Sequence, residues 1–384
     1  MAKQENKMMM STADIAGVQK VYSGAVEDFL QAERKRANVV GLGIGKKWRN
    51  GEPTGENALV VLVAQKLEKS ELLEADLIPT RWGDVATDVL AIGYPMAGGH
   101  HMGGCTCKGG VCACHEAGGA GSCQCMEMGQ AVGRRQAAEA GIQTLTRRIR
   151  PAKGGYSVGH KNITAGTIGT CVYDILPGGS TNPPAHGIGI PPRYYILSNN
   201  HVLANSNAAA LGDAVLQPGP FDGGIDPADR VATLSRFVPI TFEPPVPRLL
   251  HRNIIDAAIA VGQFHDLDRE VHWSGPVRGW RRKASVTVGT LVKKTGRTTN
   301  FTTGRITAVN ATVDVGYGGG RVARFTDQII TTAMSAGGDS GSLITTLDNV
   351  AVGLLYAGSS IVTIANQIEN VRSLLRVEVA EQIL

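Results

Sequence analysis

The sequence predicts a mainly β fold: a sandwich or pair of barrels over the C-terminal part, preceded by a small α+β unit. Three observations carry this. Glycine supplies 49 of 384 residues and aromatics only 5%, which favours short strands and tight turns over long helices. From about residue 155 onward, short apolar runs alternate with Gly, Pro and Asn turns. Before residue 95, one helical pattern is followed by three strand-like runs.

In the first unit, residues 1–95, Ser11-Thr12-Ala13-Asp14 can cap a helix, and Ile15, Val18, Val21, Tyr22, Phe29 and Leu30 recur at near-helical spacing. The runs 39–45, 57–63 and 87–92 read as strands, with a short helical piece near 70–75. Gly41, Gly43 and Gly45 do not form a nucleotide loop. Their spacing is wrong for one, and Lys46-Lys47-Trp48 leads into a turn rather than a helix. Alternating glycines in a packed strand are the better account.

Residues 96–150 form a cysteine-rich stretch and a helical linker. Cys105, Cys107, Cys112, Cys114, Cys123 and Cys125 make three Cys-x-Cys pairs beside His100, His101 and His115, in glycine-rich sequence with almost nothing to bury. Paired thiolates can clasp zinc or copper(I). A reduced, unligated loop is an equally good reading, since structural zinc sites usually show Cys-x-x-Cys. Residues 128–150 carry alanines at helical spacing with arginines on a solvated face. Cys171, in Ile168-Gly-Thr-Cys-Val-Tyr173, reads as a buried strand residue.

In residues 151–384 the strand-like runs include 167–173, 194–197, 231–235, 254–261, 284–292, 304–315, 322–331, 342–346 and 350–356, and 366–375 reads as a helix. Three motifs in this part carry chemistry. Gly338-Asp339-Ser340-Gly341 sets a serine among glycines that free the backbone to turn and to gather amide N–H groups at one point. Upstream stand His201, in Tyr195-Ile-Leu-Ser-Asn-Asn-His201-Val-Leu, and Asp256, in Asn253-Ile-Ile-Asp256-Ala-Ala-Ile-Ala. A serine hydroxyl needs a base with a pKa near 7, which is imidazole, and an acid can fix the imidazole tautomer.

The order His, Asp, Ser and the local setting of each residue resemble the trypsin/chymotrypsin-like serine proteases; the front segment Gly41-Leu-Gly-Ile-Gly45 and the ending Gly353-Leu-Leu-Tyr-Ala-Gly-Ser-Ser360 resemble more closely the intracellular bacterial and plant narrow-leaf-type trypsin-like proteins. An α/β-hydrolase would run Ser, acid, His and show Gly-x-Ser-x-Gly, whereas here Ser342 ends the motif. The resemblance implies a chymotrypsin-like double β-barrel over 151–384 and a serine endopeptidase with His201, Asp256 and Ser340 as its triad. It implies an oxyanion hole from the N–H groups of Gly338 and Ser340. It also places the primary specificity pocket near Met334, Tyr356 and Gly358. With no acid at Met334, a buried substrate Arg or Lys would lack a partner, so small or medium apolar P1 residues are expected. Secreted relatives pair the acid before the serine with a newly cut N-terminus. No such activation sequence is expected before the barrels, so either Asp339 finds another cation or backbone donors, or the site sits collapsed until something orders it.

Catalysis by these residues needs no cofactor. The expected partner is a protein or peptide. The net charge of +5 is not gathered into a nucleic-acid patch, and no run is long enough to span a membrane. Residues 1–20 show no long apolar run of the secretory kind, so the expected location is cytoplasmic, and a homo-oligomer is the expected state. Two other readings are a protease-fold peptide-binding scaffold with little turnover and a metal-handling protein working through its cysteines.

Overall fold

A computed structural model gives the fold, describing residues 7–31, 36, 38–98, 107–108, 111–112, 145–163, 165–175 and 193–379. The chain opens with helix α1 (Thr12–Leu30), started by a capping box in which Ser11 and Asp14 satisfy each other's backbone N–H. Strands β1 (Val39–Arg49), β2 (Glu52–Val63), β3 (Val85–Ala91) and the short β4 (Met96–Ala97) follow.

The second half begins with β5 (Ser157–His160), β6 (Gly166–Thr167), β7 (Thr170–Asp174), β8 (Tyr194–Ser198), the one-turn α2 (Asn200–Leu203), β9 (Ala214–Leu216), β10 (Arg230–Phe237) and β11 (Ala258–Gly262). It continues with β12 (Leu291–Gly296), β13 (Asn300–Gly316), β14 (Val322–Thr332), β15 (Leu343–Thr346), β16 (Val350–Gly358), β17 (Val362–Gln367), α3 (Ile368–Leu375) and β18 (Val377–Glu378).

These strands make two principal sheets. One runs β6-β5-β9-β10-β11-β8-β7-β18. The other runs β12-β15-β16-β17-β14-β13, and β12 also pairs with β13, which closes six strands into a barrel. The mainly β expectation holds. The run expected at 284–292 is a short 3₁₀ turn (Lys283–Ser285) followed by β12, and the strand expected at 254–261 starts only at Ala258, leaving Asp256 in the loop before it.

The front unit does not stand apart from the barrel. β13 is 17 residues long: its start, 300–305, pairs with β12, and 308–313 pairs with β1, so β1-β2-β3 extends the barrel's sheet. The cause lies at the expected glycines. A Cβ on Gly41 would lie 2.5 Å from the Thr312 carbonyl oxygen, and one on Gly45 2.7 Å from that of Thr307. Helix α1 is tied to the same place. Tyr22 donates from its hydroxyl to the Leu42 carbonyl (3.0 Å) and accepts from the Thr312 N–H (2.9 Å). Val18, Phe29, Leu42 and Leu59 of the front unit share one buried cluster with Val292, Ile306, Ile344 and Leu355 of the barrel. Cys171 is fully buried in β7, as expected, and burial pushes its thiol pKa up to about 12.

Of the cysteine-rich stretch, the register pairs Cys107 with Cys112 across two short strands. Cys105, Cys114, Cys123 and Cys125 lie outside the described residues, as does 128–144 of the helix and linker expected over 128–150, whose described end, 145–150, is turn and irregular chain.

Candidate active site

Asp256 contacts His201, and the Ser340 loop packs on the strand before His201, where a Cβ on Gly341 would lie 2.1 Å from Ser198 Oγ; no hydrogen bond joins Ser340 to His201 among the described residues. β8 ends at Ser198 and α2 starts at Asn200, so the turn between them sets His201 in the first turn of α2. The two asparagines fix that turn: Asn199 Nδ2 donates to the Asp256 carbonyl (2.7 Å) and Asn200 Nδ2 to that of Val238 (2.7 Å). Asp256 is fully buried between Ile255 and Ala257, whose side chains join the core. Asn366 on β17 clamps its backbone, accepting from the Asp256 N–H and donating to its carbonyl, both at 3.1 Å.

Asp256 grips the histidine twice. Its Oδ2 lies 2.6 Å from His201 Nδ1, and its Oδ1 accepts the His201 backbone N–H at 3.1 Å. A third donor on this carboxylate was not foreseen in the sequence. Tyr317 donates its hydroxyl to Asp256 Oδ2 at 2.7 Å, and its ring is edge-on to His201 and flanked by Phe242 and Phe325. Burial first, then the Asp256 charge, raises the Tyr317 pKa well above 10, so the hydroxyl stays a donor. His201 Nε2 is buried and has no hydrogen-bond partner among the described residues.

Ser340 is 4% exposed, with its Oγ 3.5 Å from the Tyr356 carbonyl. The loop around it is held from both sheets. Thr167 of the smaller sheet donates its N–H to the Ser340 carbonyl (2.7 Å) and its hydroxyl to that of Gly338 (2.8 Å). Gly341 N–H donates to the Leu355 carbonyl (2.8 Å).

Gly338 has φ +95, and a Cβ there would lie 2.5 Å from Thr298 Oγ1. Thr298 also donates its hydroxyl to the Gly337 carbonyl (2.7 Å). In a trans peptide the C=O and the following N–H point opposite ways, so this bond turns the Gly338 N–H away from Thr298. Neither the Gly338 nor the Ser340 N–H donates within the described residues.

Asp339 has found its cation. Lys294 on β12 lies 3.2 Å from Asp339 Oδ2, and both side chains are fully buried. The same carboxylate accepts N–H groups from Ala336 (3.0 Å), Thr298 (2.9 Å) and Thr299 (3.2 Å), and the Thr299 hydroxyl (2.6 Å). Lys294 also donates to Thr299 Oγ1 and to the Asn300 carbonyl. Burial lowers the Lys294 pKa below 10.5, and Asp339 offsets part of this. The signal in sequence was Lys293-Lys294: in a strand adjacent side chains point to opposite faces, so one of the two had to turn inward.

Beside Ser340 is a cavity of about 150 Å³ lined by Ser335, Ala336, Gly337, Ala357, Gly358 and Ser359, among others. Gly358 is among the lining residues. Tyr356 is not: its ring is buried against Phe325, and only its carbonyl faces Ser340 Oγ. Met334 needs correcting. It is 4% exposed, packs in the barrel core and does not line this cavity, because its thioether fills the space that the missing Cβ of Gly304 leaves. Among the described residues no group of three or more His, Cys, Asp and Glu could hold a metal ion, and no helix is long and apolar enough to cross a membrane.

No family model matches the chain. Over 88 residues, 23% of its length, it is 42% identical to glutamyl endopeptidase 2 of Streptomyces griseus. That match spans 43% of the relative, so the chain covers less than half of the curated protein it matches. The chain is similar to the trypsin/chymotrypsin-like serine proteases. Among solved structures, Thermobifida fusca protease A is 18% identical with a TM-score of 0.39, covering 59% of this chain and 96% of its own. A glutamic-acid-specific serine protease, described as using a histidine triad in substrate binding, is 22% identical with a TM-score of 0.39, covering 59% and 99%. In this protease-like chain, the residues that pair with the acid and with the residue before the serine, Tyr317 and Lys294, stand outside all three motifs.

Proposed function

We propose that this protein is a serine endopeptidase. The observation that carries the reading is the double grip of Asp256 on His201, at 2.6 and 3.1 Å, beside a serine whose loop leaves two N–H groups free among the described residues. His201 Nε2 takes the proton of Ser340 Oγ as the hydroxyl attacks a peptide carbonyl. Asp256, held in turn by Tyr317, keeps the Nδ1–H tautomer and stabilises the imidazolium. The N–H groups of Gly338 and Ser340 receive the oxyanion. His201 then passes the proton to the leaving amine, and water hydrolyses the acyl ester. Serine proteases need no cofactor for these steps.

The cavity lining supports small or medium uncharged P1 residues. Among the described residues its walls are Met96, Leu355, alanines, glycines and serines, with no charged side chain to meet a glutamate, arginine or lysine. A proteome-derived peptide library should show apolar P1 residues, and a profile dominated by Glu, Arg or Lys would refute this. Labelling by a fluorophosphonate should be lost in Ser340→Ala. Ser340→Ala and His201→Ala should each lower kcat by on the order of 10⁶, and Asp256→Asn by roughly 10⁴. Peptidase activity surviving in Ser340→Ala would sink the reading and favour the binding scaffold.

Zinc or copper(I) binding by the six clustered cysteines, a cytoplasmic setting and homo-oligomerisation are part of the same proposal and rest on the sequence. Metal content of protein purified under reducing conditions, cell fractionation and sedimentation test them. A protein that holds no metal and takes none up on titration has an unligated loop there.

A further inference from the structure

An extended peptide binds beside a nucleophile by adding a strand to an exposed backbone edge. Here that edge is the end of β16, Ala357–Gly358, which walls the cavity next to Ser340. It is already taken. The chain's own β4 pairs with it antiparallel, Ala97 opposite Ala357 and Met96 opposite Gly358. Met96 also lines the cavity. On its other side β4 meets the end of β13, where the Gly316 N–H donates to the Pro95 carbonyl at 2.9 Å.

The next residue, Gly98, follows that strand to the catalytic candidates. The site of its absent Cβ lies 3.5 Å from His201 Cδ2 and 3.8 Å from Nε2. This backbone helps bury the imidazole edge, whose Nε2 has no partner among the described residues. Gly98 has φ +79, so the strand leaves the extended path at the residue nearest the imidazole. A peptide that follows an extended path presents its carbonyl to the serine, and one that turns off there does not. Gly93, with φ +70, bends the chain at the other end, and its N–H is anchored on the Ala64 carbonyl.

We propose that Met96, Ala97 and Gly98 are a resident, uncut occupant of this protein's own peptide groove, and that a substrate peptide must displace them. This rests on the protease reading for its effect on turnover, but not for its effect on binding. Apparent affinity then falls by the fraction of molecules whose groove is open.

The test uses the full chain with Met96→Asp and Ala97→Asp together, which should expel the strand. Succinyl-Ala-Ala-Pro-Leu-p-nitroanilide reports turnover. Fluorescein-labelled Ala-Ala-Pro-Leu, in a Ser340→Ala background, reports binding by anisotropy. The expected result is at least a tenfold lower KM and at least tenfold tighter binding. A gain in binding without turnover or fluorophosphonate labelling in any form would sustain the groove proposal and defeat the protease reading. Normal labelling and turnover with neither gain would defeat the proposal and leave the protease reading standing.

Should the double aspartate variant not fold, Ala97→Cys with Ala357→Cys, in a chain whose six clustered cysteines are serine, locks the pair by a disulfide. The oxidised form should bind the peptide at least tenfold more weakly than the same protein after dithiothreitol. Equal binding in both states would overturn the proposal, as would intact-mass evidence that purified wild-type protein cuts itself after Gly98.

Discussion

Replacing Lys294 by Met tests whether the ion pair under the Ser340 loop holds the loop in the form the proposed reaction needs. Lys294 and Asp339 are both fully buried, 3.2 Å apart, and Met has nearly the same length without the charge. Removing one partner of a buried pair costs about 3–5 kcal/mol, because the other charge is left uncompensated. Asp339 keeps three N–H donors and the Thr299 hydroxyl, so the low end, about 3 kcal/mol, is expected. The Thr299 and Asn300 acceptors of Lys294 lose a donor as well.

Denaturant unfolding, in a Ser340→Ala background to prevent autolysis, measures this cost. Adding Asp339→Asn to Lys294→Met removes the orphaned charge and should recover a large part of it. In the active form, an Asp339 free to shift lets the 336–338 turn rotate. The Gly338 N–H is then misaimed, and kcat should fall about 10²–10³-fold with little change in KM. A Lys294→Met protein that unfolds within about 1 kcal/mol of its parent and keeps kcat within about threefold would refute the reasoning.

Tyr317→Phe deletes a hydrogen bond to a charged acceptor, a loss of about 1.5–3 kcal/mol, and should lower kcat at least tenfold at unchanged KM. Gly338→Ala forces a Cβ to 2.5 Å from Thr298 Oγ1 at φ +95, and kcat/KM should drop by about 10² or more while His201 and Asp256 stay paired by NMR. On the alkaline side, Lys294 pairs only when charged and burial lowers its pKa, so kcat/KM should fall at a pH below the ordinary lysine value of 10.5. The folded state binds fewer protons than the unfolded one across that window, so this lysine's contribution to stability rises there while activity falls. A flat profile up to 10.5 would contradict this. Cys171, with its thiol pushed up to about 12 and fully buried, should escape iodoacetamide at pH 8 until the protein is denatured, as read by peptide mass mapping.

Features that lie within a short window were legible in the sequence. The Ser11/Asp14 cap, the strand-like runs of β13 and β14, the glycines of β1 and the immediate neighbours of His201, Asp256 and Ser340 are all local patterns, and the cap and the strands stand where they were read. The chemistry proposed for the candidate site rests on the same kind of signal, since residue type and immediate neighbours suggest a base, an acid and a nucleophile. The supporting contacts were not. Tyr317 meets Asp256 across 61 positions of sequence and Lys294 meets Asp339 across 45. Register between distant strands decides such contacts, and no periodicity encodes it. Tertiary structure likewise joined 1–95 to the barrel through β1 and β13, buried Met334 in the core and laid Met96–Gly98 along Ala357–Gly358. In each case apolar surface and unpaired backbone of one segment were satisfied by a segment far away in the chain.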